Sequence, residues 1–125
     1  MSQQPHPTFG NGKICYIELP ALDINRSADF YKAVFGWNVR QNSEGNTSFD
    51  DGVGEVSGTW RTDLQPAKAG SLTVHIMVDD LNATIAAVTA NGGAITEPPS
   101  KDGSGSYARF SDPAGNILGL HQQGG

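Results

Sequence analysis

Glu18 lies in "KICYIELP" and His75 in "LTVHIMV", two apolar segments with the composition of buried strands. A carboxylate facing the interior of such a segment is costly unless it is paired or hydrogen-bonded. The two segments belong to an internal repeat that puts Glu18 and His75 at equivalent places. A Glu–His pair would hold the imidazole in one tautomer and raise its basicity, which is the chemistry of a general base. His121 follows in "NILGLHQQ". Two histidines with one carboxylate are also a non-haem iron set. Three readings stay open: a polar, proton-transferring pocket, a displaced metal site, and ordinary structural pairing.

The elements that must position these residues come in two copies. "SFDDGVGEVSG" and "RFSDPAGNILG" share F-x-D-x-x-G-x-x-x-G, on Phe49, Asp51, Gly54, Gly58 and on Phe110, Asp112, Gly115, Gly119. Upstream, Asp23 corresponds to Asp80 and Gly36 to Gly93, both 57 residues on, whereas the closing motifs are 61 apart, so the second copy carries a small insertion. Each copy reads strand, helix, three strands. Asp23 or Asn25 can cap the first helix, Ala28, Tyr31, Val34 and Phe35 form its apolar stripe, and Gly36 can end it. Asp79 or Asp80 can cap the second, with Leu81, Ile85 and Val88 as stripe and Asn91-Gly92-Gly93 as stop. Strands are expected near 37–41, 47–49 and 54–61, then near 94–96, 106–110 and 116–121.

One βαβββ unit covers one face of its sheet and leaves the other bare. The expected fold is therefore α+β: two tandem βαβββ modules forming one curved mixed sheet around a pocket. A single domain is expected, with module one at about 13–62, a linker "TDLQPAKAG" at about 63–70 and module two at about 71–122. Glu18, His75 and His121 would face the pocket, and Tyr16 and Trp60 would be its aromatic walls or ordinary core. Trp37 reads as packing at a helix–strand corner. The insertion "PPSKDGSGSYAR" is rich in Gly and Ser and reads as a lid, with Arg109 placed to meet an anionic group or a surface acid. Its "GSG" is no phosphate loop, since the Lys-Ser/Thr and the following helix are missing.

Composition narrows the function classes. The 125 residues are 37% hydrophobic and carry a net charge of -5, which argues against a nucleic-acid partner. No apolar run reaches membrane-span length, and the polar start "MSQQPHPTFGNG" lacks a signal peptide's apolar stretch, so a cytoplasmic location is expected. That leader, with His6 as a bystander, and the closing "QQGG" should be poorly ordered. Cys15 stands alone and reads as a small core residue.

The paired modules, with "RSADFYKAVFGW" after the first strand and "DPAGN" before the last, resemble the vicinal oxygen chelate superfamily, which includes glyoxalase I, extradiol dioxygenases, fosfomycin-resistance proteins and bleomycin-binding proteins. The resemblance spans about Ile14 to His121 and is most similar to small bacterial glyoxalase-like proteins. It implies four metal-ligand positions in metal-using members, and these fall here on Tyr16, Gly58, Thr73 and Gly119. None is a usual ligand for a divalent metal. The expectation is a binder of a small organic, planar molecule without the family's metal site or any cofactor. The ligand-binding candidates are Tyr16, Trp60, Thr73, Arg109 and His121. The alternative is a lyase, an isomerase or a metal-dependent enzyme using Glu18, His75 and His121; glyoxalase I activity itself is disfavoured, since it needs a Lewis acid. The resemblance also implies a homodimer.

Overall fold

The computed structural model describes residues 7–68, 70, 72–103 and 105–123; His6 and Gly124–Gly125 lie outside them. Asp23 caps the first helix, α1 (Ile24–Phe35), by accepting from the Arg26 backbone N–H, and Gly36 ends it in the left-handed conformation at φ 70°. Asp80 does the same for α2 (Leu81–Ala90) by accepting from the Ala83 N–H, and Asn91 closes that helix. The stripes behave as their spacing demands: Ala28, Tyr31, Leu81 and Val88 are buried, while Val34, Phe35 and Ile85 pack half-buried against them.

Eight strands complete the fold: β1 (Tyr16–Pro20), β2 (Asn38–Gln41), β3 (Thr47–Asp50), β4 (Ser57–Arg61), β5 (His75–Met77), β6 (Ala94–Asp102), β7 (Gly105–Ser111) and β8 (Ile117–Gln123). The class is α+β, built from two βαβββ modules. The modules contribute one four-stranded sheet each, in the orders β1-β4-β3-β2 and β5-β8-β7-β6. In both, the first strand runs parallel to the last and the other pairs are antiparallel. β1 and β5 are thus edge strands of their sheets.

The core joins the modules. Trp37 stacks between Tyr31 and Phe49 with ring centroids 4.5 Å from each. Phe30 and Phe35 carry the aromatic cluster across to Phe110 of module two. A polar latch reinforces it. Asp112 accepts from the Tyr31 hydroxyl at 2.8 Å, and also from the backbone of Ala114 and Asn116. The fully buried Asn116 donates to the Pro20 carbonyl at 2.7 Å and accepts from the Ala67 N–H at 2.8 Å. "DPAGN" therefore ties β8 to β1, α1 and the linker at once.

The repeated motif has a local cause. Asp51 and Asp112 each open a turn whose third residue onward is a glycine at positive φ, Gly54 at 75° and Gly115 at 91°. The turns differ by one residue: the Asp51 N–H pairs with the Val56 carbonyl, five positions on, and the Asp112 N–H with that of Asn116, four positions on. Phe49 consequently pairs with Gly58, whereas Phe110 pairs with Leu118 rather than Gly119. A one-residue offset reverses which face a side chain occupies. Gly58 and Trp60 face the helices, and Gly119 and His121 face away from them.

Two expectations are corrected here. Cys15 is exposed, because it precedes the edge strand β1 where no core element covers it. The 98–109 insertion is no lid. It extends β6 and β7 into a long hairpin, with register shifts between Ile95 and Ser100 that accommodate the prolines. No described helix is long and apolar enough to cross a membrane.

Candidate functional site

β1 and β5 run along a groove of about 760 Å³ between the modules. Module one supplies Ile17 and Leu19 from β1, Phe35 from the end of α1, and Trp37 and Phe49; module two supplies Val74 to Asp80 and the Ala83, Thr84 and Ala87 face of α2. The walls are apolar because Ile17 and Leu19 alternate with Glu18 along β1 and so present their side chains to the same side. Polar groups are few. They are the carboxylates of Asp51, Asp79 and Asp80 and the hydroxyl of Thr84, while His75 borders the groove through its place on β5 and its ring lies over Gly119 on the helix-free face. Asp80 and Asp51 each keep one carboxylate oxygen on a backbone N–H, of Ala83 at 3.0 Å and of Glu55 at 2.8 Å.

His75 owes its place to Gly119. The two are paired on adjacent strands, and a side chain at 119 would occupy the space of the imidazole ring. In module one the Phe49 ring covers Gly58 in the same manner, on the helix side of the sheet. Each closing glycine is therefore a seat for a ring, a structural use of glycine at a close approach.

Of the residues singled out from the sequence, His75 alone lines the groove. Glu18 is on the helix-free face of the first sheet, where its carboxylate meets Arg61 at 3.2 Å, and Arg61 also holds Asp63 at 2.6 Å. Glu18 and His75 are thus not partners. Tyr16 shares Glu18's face and is half exposed. Thr73 and Arg109 do meet: Arg109 donates to the Thr73 hydroxyl at 3.1 Å and pairs with Glu97 at 2.7 Å. His121, half-buried, pairs across strands with Met77 and Tyr107 on the helix-free face of the second sheet. Trp60 is core, 2% exposed beside Tyr31 and Phe49, because the longer turn after Asp51 rotates it inward. Its indole N–H has no hydrogen-bond acceptor among the described residues.

The residues at the family's ligand positions do not fit a metal. Two are glycines, and the space at Gly119 is taken by the His75 ring. Glu18, His75 and His121 do not replace them: among the described residues no group of three or more His, Cys, Asp or Glu side chains is placed to hold an ion.

The sequence reading missed the groove's acidic residues and its apolar walls. Asp79 and Asp80 read only as helix caps, and Ile17 and Leu19 only as core. The available signal was the edge position of both first strands, which leaves their inner sides to face each other.

Comparison with known proteins agrees with this architecture. Residues 13–120 match the Glyoxalase/Bleomycin resistance protein/Dioxygenase superfamily. Lactoylglutathione lyase from Haemophilus influenzae is 32% identical over 82% of this chain and 87% of its own. The anthracycline biosynthesis protein DnrV from Streptomyces peucetius is 30% identical over 93% of this chain, which spans 49% of DnrV. Among solved structures, TnmS3, an antibiotic binding protein from Streptomyces sp. CB03234, superposes with a TM-score of 0.69 at 24% identity, covering 93% of this chain and 99% of its own. With the family matched across both modules, this chain belongs to the glyoxalase/bleomycin resistance protein/dioxygenase superfamily.

Proposed function

We propose that the chain binds a small planar organic molecule in the groove between its two modules. The observation that carries this reading is the wall composition: Phe35, Trp37 and Phe49 stand opposite Val74, Ile76 and Val78 in a space of about 760 Å³. A cleft of that size with few polar groups suits a drug-sized ligand, and aromatic walls favour flat ones. TnmS3 is described as binding an antibiotic and DnrV as acting in anthracycline biosynthesis, and both share this fold family. They support this fold serving small organic ligands.

A second reading puts proton transfer on His75, whose ring lies over Gly119 on the helix-free face, toward a lyase or isomerase. The lactoylglutathione lyase relative favours it. Glu18 does not orient His75, so the imidazole would act alone.

The test is thermal. A ligand that binds only the folded chain raises its melting temperature. A panel of planar aromatic compounds is expected to contain stabilisers, and Ala83→Phe, a change on an exposed groove-lining position, is expected to abolish the shift without lowering the melting temperature of the free protein. Equal shifts in Ala83→Phe would place binding elsewhere. Turnover by the wild type that is lost in His75→Gln, with ligand binding retained, would establish the second reading.

A further inference from the structure

We infer that the groove's ligand is a cation: a planar apolar body bearing a protonated amine. The inference rests on the groove reading above and specifies its chemistry. The acidic residues lining the groove are Asp51, Asp79 and Asp80, and among the described residues no Lys or Arg lines it. They come from both sides, Asp51 from the β3–β4 turn of module one and the other two from the β5–α2 junction of module two. An amine seated in the groove would therefore meet carboxylates across both walls.

These carboxylates are not consumed by the fold. Among the described residues no arginine or lysine is seen paired with them: Arg40 is on Asp50, Arg61 on Glu18 and Asp63, Arg109 on Glu97, and Lys13 on Glu55. Asp51 and Asp80 each spend one oxygen on a backbone N–H and keep the other. Carboxylates beside low-dielectric apolar walls focus a negative potential into the cleft. An anionic ligand would meet the opposite field.

The experiment compares three probes with one ring system on the full chain: 9-(aminomethyl)anthracene, anthracene-9-methanol and anthracene-9-carboxylate, each by direct titration. The amine is expected to bind roughly tenfold tighter than the alcohol, and the carboxylate weakest. Raising sodium chloride from about 0.02 to about 0.5 M should shrink the gap, since the screening length falls to a few Å. Asp79→Asn, which removes one carboxylate outside the helix cap, should lower amine affinity roughly threefold to tenfold and narrow the gap to the alcohol. If amine and alcohol bind equally in the wild type, the charge inference falls while the groove reading stands. If none of the three binds, both fall. If the carboxylate binds best and Asp79→Asn changes nothing, the groove takes an anion and the inference is overturned.

Discussion

The Tyr31 hydroxyl, on a helix of module one, donates a 2.8 Å hydrogen bond to the Asp112 carboxylate of module two, and both residues are buried. The bond joins two halves that are also held by ring packing and by the Asn116 bond to the Pro20 carbonyl. Burial, then the Asp112 charge, then the hydrogen bond itself push the Tyr31 phenol well above its ordinary value. It therefore stays a donor at any pH at which the chain is folded.

Tyr31→Phe removes the donor and leaves Asp112 its bonds to Ala114 and Asn116. The expected loss is about 1–2 kcal/mol. Asp112→Ala strands several buried donors at once and should cost about 3 kcal/mol or more. Because the folded-state phenol is raised, its contribution is complete below the unfolded value near 10 and is lost as pH climbs above it. Urea midpoints at neutral pH and above pH 10 test both points. A Tyr31→Phe midpoint equal to wild type at neutral pH, or an unchanged alkaline fall, would remove the latch.

The two closing glycines should respond unequally to alanine. At Gly58 a methyl group collides with the Ile17 carbonyl of the paired strand and with the buried Phe49 ring, neither of which can move. At Gly119 it collides with the His75 ring, which is exposed and can swing away. Gly58→Ala is expected to cost about 3 kcal/mol or prevent folding, and Gly119→Ala about 1 kcal/mol or less. In Gly119→Ala the imidazole is displaced on the helix-free face, so groove-ligand affinity should stay near the wild-type value. Melting temperatures and a groove-probe titration of both variants measure this, and equal destabilisation would refute the opposite-face assignment.

That assignment also marks where the sequence stops being legible. Helix caps are local, so Asp23, Gly36 and Asp80 were readable from residue type and spacing alone. The helix-free placement of Glu18, His75 and His121 followed from simple alternation. The repeat then misled, because F-x-D-x-x-G-x-x-x-G has the same spacing in both copies while the turns differ by one residue in how they pair. Nothing in the motif announces that difference, and it sends Trp60 into the core while its counterpart His121 faces out. The expected Glu18–His75 pairing failed for a related reason: β1 and β5 belong to different sheets, and Arg61, three strands on in sequence but on the adjacent strand β4, is Glu18's neighbour. The groove arises from two edges meeting, which is a tertiary relation.

Asp50 gives an acid-side prediction. The Arg40 guanidinium binds it through two 3.0 Å bonds, and Asn38 and Ser57 donate as well. Chiefly through Arg40, its carboxyl is held well below the usual range. A depressed folded-state value contributes stability above the unfolded value near 4 and loses it as pH falls below. The site is partly solvated, so the contribution is about 1 kcal/mol. Asp50→Asn should be less stable than wild type at pH 7 by about that amount and should converge with it near pH 2. Parallel curves of stability against pH would sink the assignment.

Divalent metals provide the last check, because most of the family's chemistry depends on whether a donor set exists. Binding to the folded state alone must raise the melting temperature, and a cluster of three or more ligands would raise it steeply with concentration. The positions where metal-using relatives are expected to carry ligands hold Tyr16, Gly58, Thr73 and Gly119, and Glu18, His75 and His121 are not gathered to replace them. Ni²⁺, Zn²⁺, Mn²⁺ and anaerobic Fe²⁺ are therefore each expected to leave the melting temperature unchanged in untagged protein. A rise that disappears in both Glu18→Ala and His75→Ala would mean that the two strands rearrange around an ion, and the groove reading would give way to a metal enzyme. A rise lost in His75→Ala alone would point to a lone imidazole, which binds such ions too weakly to organise catalysis, and the metal-free groove would stand.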